Sequence, residues 1–207
     1  MFTPPRLVAG LLLAITVPLL SAQDRPSLLF REDWQESPAA LPVTQEHVAH
    51  PDLELQLHGR GRDGIKKSHH DQPLDDPYYI WSGMCETGNW AVSLKPRSRP
   101  FNLTGQAKVR WRSKQSGFRV LRLIVQLTSG EWLIADQGDD ASHDWRVREF
   151  NMIDLKWRKL NIDTVIEEHP VLMNPDLSRV AQIGFTDLMI GGQSRACSRL
   201  DWIEVYA

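Results

Sequence analysis

Hydrophobic and polar residues alternate with period two along most of this chain. In the stretch 107–113, Ala107, Val109, Trp111 and Ser113 fall on one face and Lys108, Arg110 and Arg112 on the other. Leu121, Leu123, Val125 and Leu127 repeat the alternation after a turn at Gln115-Ser116-Gly117. Successive side chains of a strand point to opposite sides of its sheet, so the pattern predicts strands with one buried face. Comparable runs are Leu28–Trp34, Asp52–His58, Ile65–His70, Tyr78–Ser82, Asn89–Leu94, Trp132–Ala135, Trp145–Asn151, Leu155–Ile162, Ala181–Phe185 and Ser198–Tyr206. Gly, Pro, Asn and Asp punctuate them at roughly 8–12-residue spacing, as in sandwiches and barrels. Helical periodicity is nearly absent, and only Asp176–Val180, led in by Asn174 and Pro175, is expected to make a helical turn. The prediction is an all-β, antiparallel β-sandwich with very little helix.

The first residues break this pattern. Arg6 precedes an apolar run from Leu7 to Leu20, and Ser21-Ala22-Gln23 offers small residues for cleavage. This reads as a signal peptide over residues 1–22, because a membrane-spanning helix needs about 20 apolar residues. The expectation is an exported chain, periplasmic or extracellular, with one β-sandwich domain over residues 23–207. The formal charge of −2 becomes −3 without Arg6, so nothing global favours nucleic acid or an anionic membrane. The two cysteines, Cys85 and Cys197, are expected to form a disulfide in an oxidising compartment, closing a long loop worth roughly 4–5 kcal/mol.

Eight tryptophans are a high load for 207 residues. Trp34, Trp111, Trp157 and Trp202 lie inside apolar strand patterns and are read as core. Trp81, Trp90, Trp132 and Trp145 lie beside turns, where an aromatic plane is more available to a ligand.

The closing third is more specific. Pro175-Asp-Leu-Ser-Arg-Val-Ala-Gln-Ile-Gly-Phe-Thr-Asp187 is followed by a Gly191-Gly192 turn, and Ser198-Arg-Leu-Asp-Trp-Ile-Glu-Val-Tyr206 closes the chain. Over residues 145–207 this resembles the galactose-binding-domain-like jelly rolls, the superfamily of many carbohydrate-binding modules, with Leu28–Trp34 as an opening strand. The resemblance implies a jelly-roll sandwich and a structural Ca2+ joining an acidic residue of the first strand, Glu32 or Asp33, to Asp201 of the last. Calcium takes six to eight oxygens, so backbone carbonyls would have to complete that set. Residues 45–100 resemble nothing nameable.

Within that unmatched region, Ile65–Trp81 concentrates Lys67, His69, His70, Asp75, Asp76, Tyr78, Tyr79 and Trp81. Adjacent His69 and His70 would point apart on a strand, and no H-x-H or H-E-x-x-H pattern occurs, so a transition-metal site is not indicated. Pro73 and Pro77 frame a rigid turn carrying Asp75 and Asp76. Carboxylates and imidazoles beside an aromatic plane form a set that can hold sugar hydroxyls. That makes His69, His70, Asp75, Asp76, Tyr78, Tyr79 and Trp81 the expected ligand-binding residues, with a glycan or cell-surface polysaccharide as partner. The alternative is a sugar-active enzyme, a polysaccharide lyase or glycoside hydrolase. In it His69, His70 and Tyr79 would serve as acid and base with Lys67, and the basic face Lys108, Arg110 and Arg112 would grip an acidic polymer. A third reading is an envelope interaction or assembly domain. No nucleotide-binding, redox-cofactor or G-x-S-x-G pattern occurs.

Overall fold

The structure is a computed structural model that describes residues 25–68, 78–168, 170–190 and 196–207. Two antiparallel sheets face each other. The first has the order β3 (Lys66–Ser68), β4 (Tyr79–Trp81), β13 (Ser198–Tyr206), β6 (Lys108–Gln115) and β9 (Arg146–Asn151), and β1 (Leu28–Glu32) pairs with the second half of β13. The second runs β11 (Ile166–Glu167), β10 (Trp157–Asn161), β8 (Trp132–Asp139), β7 (Leu121–Leu127), β12 (Val180–Thr186), β5 (Ala91–Pro96) and β2 (Leu53–His58). First and last strands lie side by side, as the jelly-roll resemblance implied. The protein is an all-β sandwich.

The strands form where the alternation placed them. On β6 the burial pattern alternates strictly, with Val109, Trp111, Ser113 and Gln115 buried and the four cations half-exposed. One apolar core joins the inner faces through Trp34, Trp90, Trp111 and Trp157 and through Ile183, Phe185, Leu200, Ile203 and Val205. A buried polar knot ties the sheets at one end: the Asp139 carboxylate accepts from Trp111 Nε1 (3.0 Å), Gln115 Nε2 (3.2 Å), the Ser113 hydroxyl and the Arg146 guanidinium. Enclosed carboxylates are tolerated when donors satisfy them in this way.

Two expectations are corrected. Residues 176–179 form no helical turn. Instead the Asp176 carboxylate accepts from the Ser178 backbone N–H and hydroxyl at 2.9 and 3.0 Å, an Asx-type turn that competes with helix. Among the described residues the short helices are 3-10 turns at Gln45–His47, Arg62–Gly64 and Met152–Asp154.

The disulfide is not formed: Cys85 and Cys197 are both buried thiols. Cys85 is enclosed by the backbone of Gly61 and Gly64, whereas the Cys197 sulfur lies 3.6 Å from the Ser116 hydroxyl beyond β6. Burial pushes the Cys85 thiol up to about 12.

The carboxylates expected to share a calcium, Glu32, Asp33 and Asp201, each have protein donors beside them. Glu32 is fully buried and accepts backbone N–H groups from Trp34 (2.8 Å), Ala49 (2.7 Å) and His50 (2.9 Å). Asp33 pairs with Arg31 and Asp201 with Arg112. Among the described residues no group of three or more His, Cys, Asp or Glu side chains comes together.

Candidate functional site

The registers of β13 assemble one chemically distinctive surface, the outer face of the six-stranded sheet. Leu200, Ile203 and Val205 point into the core, and a register shift between Leu200 and Trp202 turns Trp202, Glu204 and Tyr206 outward. Row by row, Lys66, Trp81, Arg199 and Lys114 lie side by side on β3, β4, β13 and β6. Trp202, Arg112 and Val147 form the next row, then Arg31, Glu204, Arg110 and Glu149, then Leu28, Tyr206, Lys108 and Asn151. Trp145, just before β9, leans over this face.

Most of the rings here carry a cation. The Arg31 guanidinium lies 4.3 Å from the Trp202 ring centre, Arg112 5.5 Å from Trp145, Lys108 5.4 Å from Tyr206 and Lys66 5.7 Å from Trp81. Cation–π contacts of this kind are worth about 0.5–1 kcal/mol each at exposed positions. Tyr79 packs beneath Trp145, with ring centres 5.4 Å apart. Trp81, Trp145 and Tyr206 are half-exposed, while Tyr79 and Trp202 are buried.

Carboxylates hold the guanidinium groups in place. Arg112 donates to Asp201 at 2.8 Å, Arg31 donates to Glu204 at 2.7 Å, and the Tyr206 hydroxyl donates to Glu204 at 2.9 Å. Burial pushes the Asp201 carboxyl up to about 6, against the pull of Arg112. Gly83 has a specific role: a Cβ there would stand 2.1 Å from the Trp81 indole, so only glycine lets the chain lie flat against that ring.

The expected site residues separate along this geometry. Lys67 pairs with Ile80, and Ser68 with Tyr79. Lys67 therefore shares the inner side with Ile80 and Tyr78, and its ammonium lies 4.4 Å from the Tyr78 ring and donates to the Ser37 carbonyl. Its side chain is fully enclosed, and desolvation lowers its pKa. Tyr79 and Trp81 point the other way. Lys67 and Tyr79 thus lie on opposite sides of the sheet. His69, His70, Asp75 and Asp76 lie outside the described residues.

Of the tryptophans expected beside turns, Trp81 and Trp145 are on this surface. Trp90 is core, and Trp132 packs edge-on to His58 at 5.0 Å on the other sheet. Trp202, expected as core, is buried, on the outer side of the strand; sequence reasoning passed over Tyr206 and Glu204. The signal for them was the Ile203/Val205 parity, read from the strand's end rather than from Leu200.

The opposite sheet offers a different chemistry. Gln182 donates to Gln56 and Gln126 at 2.9 Å each and accepts from the Ser93 hydroxyl at 2.7 Å, and His58 Nε2 lies 2.8 Å from that hydroxyl. This Ser–His contact is not a nucleophile pair, because Ser93 is fully buried and committed to Gln182. Burial lowers His58 to about 4, so its ring is neutral at neutral pH. A cleft of about 580 Å³ between His50, Arg99 and Phe101 includes none of Tyr79, Trp81 or Trp145.

No known family model matches the chain, and no curated protein matches it either. Its fold is similar to solved structures of carbohydrate-binding modules. A point mutant of the family 29 module CBM29-2 gives a TM-score of 0.49 at 14% identity, over 87% of this chain and 93% of that one. Another family 29 carbohydrate-binding module gives 0.47 at 14% identity, over 81% and 86%. PfGH50B gives 0.48 at 8% identity, over 76% of this chain and 23% of that one.

Proposed function

We propose that this chain is an exported, non-catalytic glycan-binding β-sandwich that binds through the outer face of the six-stranded sheet. The observation that carries this reading is the convergence of the half-exposed Trp81, Trp145 and Tyr206 with fixed guanidinium and carboxylate groups on one face, Arg31 being stacked on the buried Trp202. A pyranose presents apolar C–H groups on its ring faces and hydroxyls around its rim. It therefore takes an aromatic plane below and oriented charged donors and acceptors beside it. A broad sheet face suits a polymer chain more than a small enclosed ligand. Trp81 keeps the role expected from the sequence, and Tyr79 acts beneath Trp145 as its support. Export rests on the leader-like residues 1–22.

Immobilised neutral and acidic polysaccharides, incubated with the mature protein, test this. Trp145→Ala and Trp81→Ala are each expected to weaken retention about tenfold, the loss of one stacking contact, with no soluble sugar released. Retention unchanged in both variants, or saccharide release, would sink the reading.

A further inference from the structure

We infer that the glycan taken by this face is anionic: a polymer of pyranose units bearing carboxylate or sulfate groups. The inference rests on the glycan-binding reading and narrows it to a ligand class.

Charge distribution carries it. The strands present seven cations outward, Arg31, Lys66, Lys108, Arg110, Arg112, Lys114 and Arg199, against three carboxylates, Glu149, Asp201 and Glu204. Asp33 and Asp144 add partial compensation at the rim, through pairs with Arg31 at 2.7 Å and Lys114 at 3.9 Å. The whole chain has a formal charge of −2, so this face is opposite in sign to the rest of the molecule. Such segregation focuses a local field toward anions in a way that a charge-mixed, merely soluble surface does not.

The cations also have a pattern. Lys66, Arg199 and Lys114 form one row across β3, β13 and β6 with Trp81 between the first two. Among the described residues no carboxylate pairs with Lys66 or Arg199. Adjacent strands lie about 4.8 Å apart, a step comparable to one sugar ring. A chain lying across the strands would therefore set one sugar ring over Trp81 and acidic groups over Lys66, Arg199 and Lys114. The next rows differ: there Arg112, Arg110 and Arg31 are already held by Asp201 and Glu204. Those guanidinium groups have N–H donors to spare in a fixed fork, which suits an anionic oxygen pair. Aromatic planes alone would recognise any pyranose; planes interleaved with surplus cations select the charged ones.

Affinity electrophoresis of the mature protein tests this. The gels would contain polygalacturonate, alginate, carrageenan, highly methyl-esterified pectin or a neutral β-glucan, with single-stranded DNA as a further polyanion. Retardation by uronans that exceeds that by the methyl-esterified pectin at least tenfold and collapses between low and high salt is expected. The double variant Lys114→Gln/Arg199→Gln should lose most of it, while Lys95→Gln on the other sheet should not. Retardation by carrageenan without uronans would assign the anion as a sulfate ester and uphold the inference. Equal retardation by neutral and acidic polymers, or by neutral ones alone, overturns the inference and leaves glycan binding intact. Retardation by DNA alone, or by nothing, overturns both.

Discussion

Asp201 and His58 show how single residues set the response of this protein to pH. The Asp201 carboxyl is raised to about 6 from an ordinary value of 3.8, chiefly by burial; Arg112 on β6 and Arg31 on β1 oppose the shift, and nearby Asp33 adds to it. The folded protein therefore binds more protons than the unfolded chain between about pH 4 and 6. The contribution of Asp201 to stability is full below that window and is lost as pH rises through it. His58 runs the other way. Its folded value of about 4 lies below the ordinary 6.5, again through burial, with Asp163 opposing and Arg62 assisting. Its contribution is present above pH 6.5 and disappears as pH falls toward 4. The two slopes oppose each other, each about 2–3 kcal/mol in size. Urea unfolding at four pH values should show stability rising more steeply from pH 4 to 6 in Asp201→Asn than in the parent. His58→Gln should instead make it fall. Parallel curves for all three proteins would mean that neither group titrates as its burial demands.

At the scale of the strand, the sequence was legible wherever alternation ran unbroken. β6, β7 and β12 lie where the pattern put them, because period two needs no information from elsewhere in the chain. What the pattern could not carry was register. Lys67 and Tyr79 looked like neighbours in one cluster, but β3 and β4 pair Lys67 with Ile80 and thereby divide the two between opposite sides of the sheet. Trp202 was read as core from the apolar pattern around it and is buried, but the shift beside Asp201 reverses the parity and puts it on the outer side of the strand. A one-residue slip exchanges the two faces of a strand, so this outer face depended on a bulge that no local periodicity announces. The charge of β6 was legible, but its pairing with carboxylates of β13 was not.

Contact between elements makes a sharper demand at Gly184. A Cβ there would stand 2.0 Å from the Val92 carbonyl and 2.7 Å from the Ser93 Cα. Both obstacles are backbone of the paired strand β5, so neither can rotate away. Gly184→Ala is expected to cost about 3 kcal/mol, read as a lower urea midpoint with little change in slope. A loss below about 0.5 kcal/mol would show that β5 and β12 yield more readily than a close-packed sheet should.

For the whole molecule, the two sheets, the core between them and the Asp139 knot make the interior a single unit, and the thiols report on it. Cys85 and Cys197 lie buried at the same end of the strand pairing between β4 and β13, the end closed by Ser82 and Ser198, where the Ser82 N–H donates to the Ser198 carbonyl at 3.1 Å. An exported chain with two cysteines would ordinarily bridge them. Here each side chain packs against different neighbours, and burial holds Cys85 almost wholly protonated, with its thiol at about 12. Thiolate is the reactive form, and access is the second requirement, so the native protein lacks both at Cys85. Iodoacetamide at pH 8 should leave Cys85 unmodified in the native protein. In denaturant without reductant, both residues should be alkylated, each adding one carbamidomethyl group to the mass. Because β4 and β13 lie in the middle of their sheet, labelling of Cys85 in intermediate urea should follow the global unfolding curve. Labelling that proceeds in native buffer independently of urea would instead place Cys85 in a segment that opens alone. An unfolded chain that resists alkylation until reduced would show that the bridge forms after all, and that the packing around Cys85 and Cys197 rearranges to allow it.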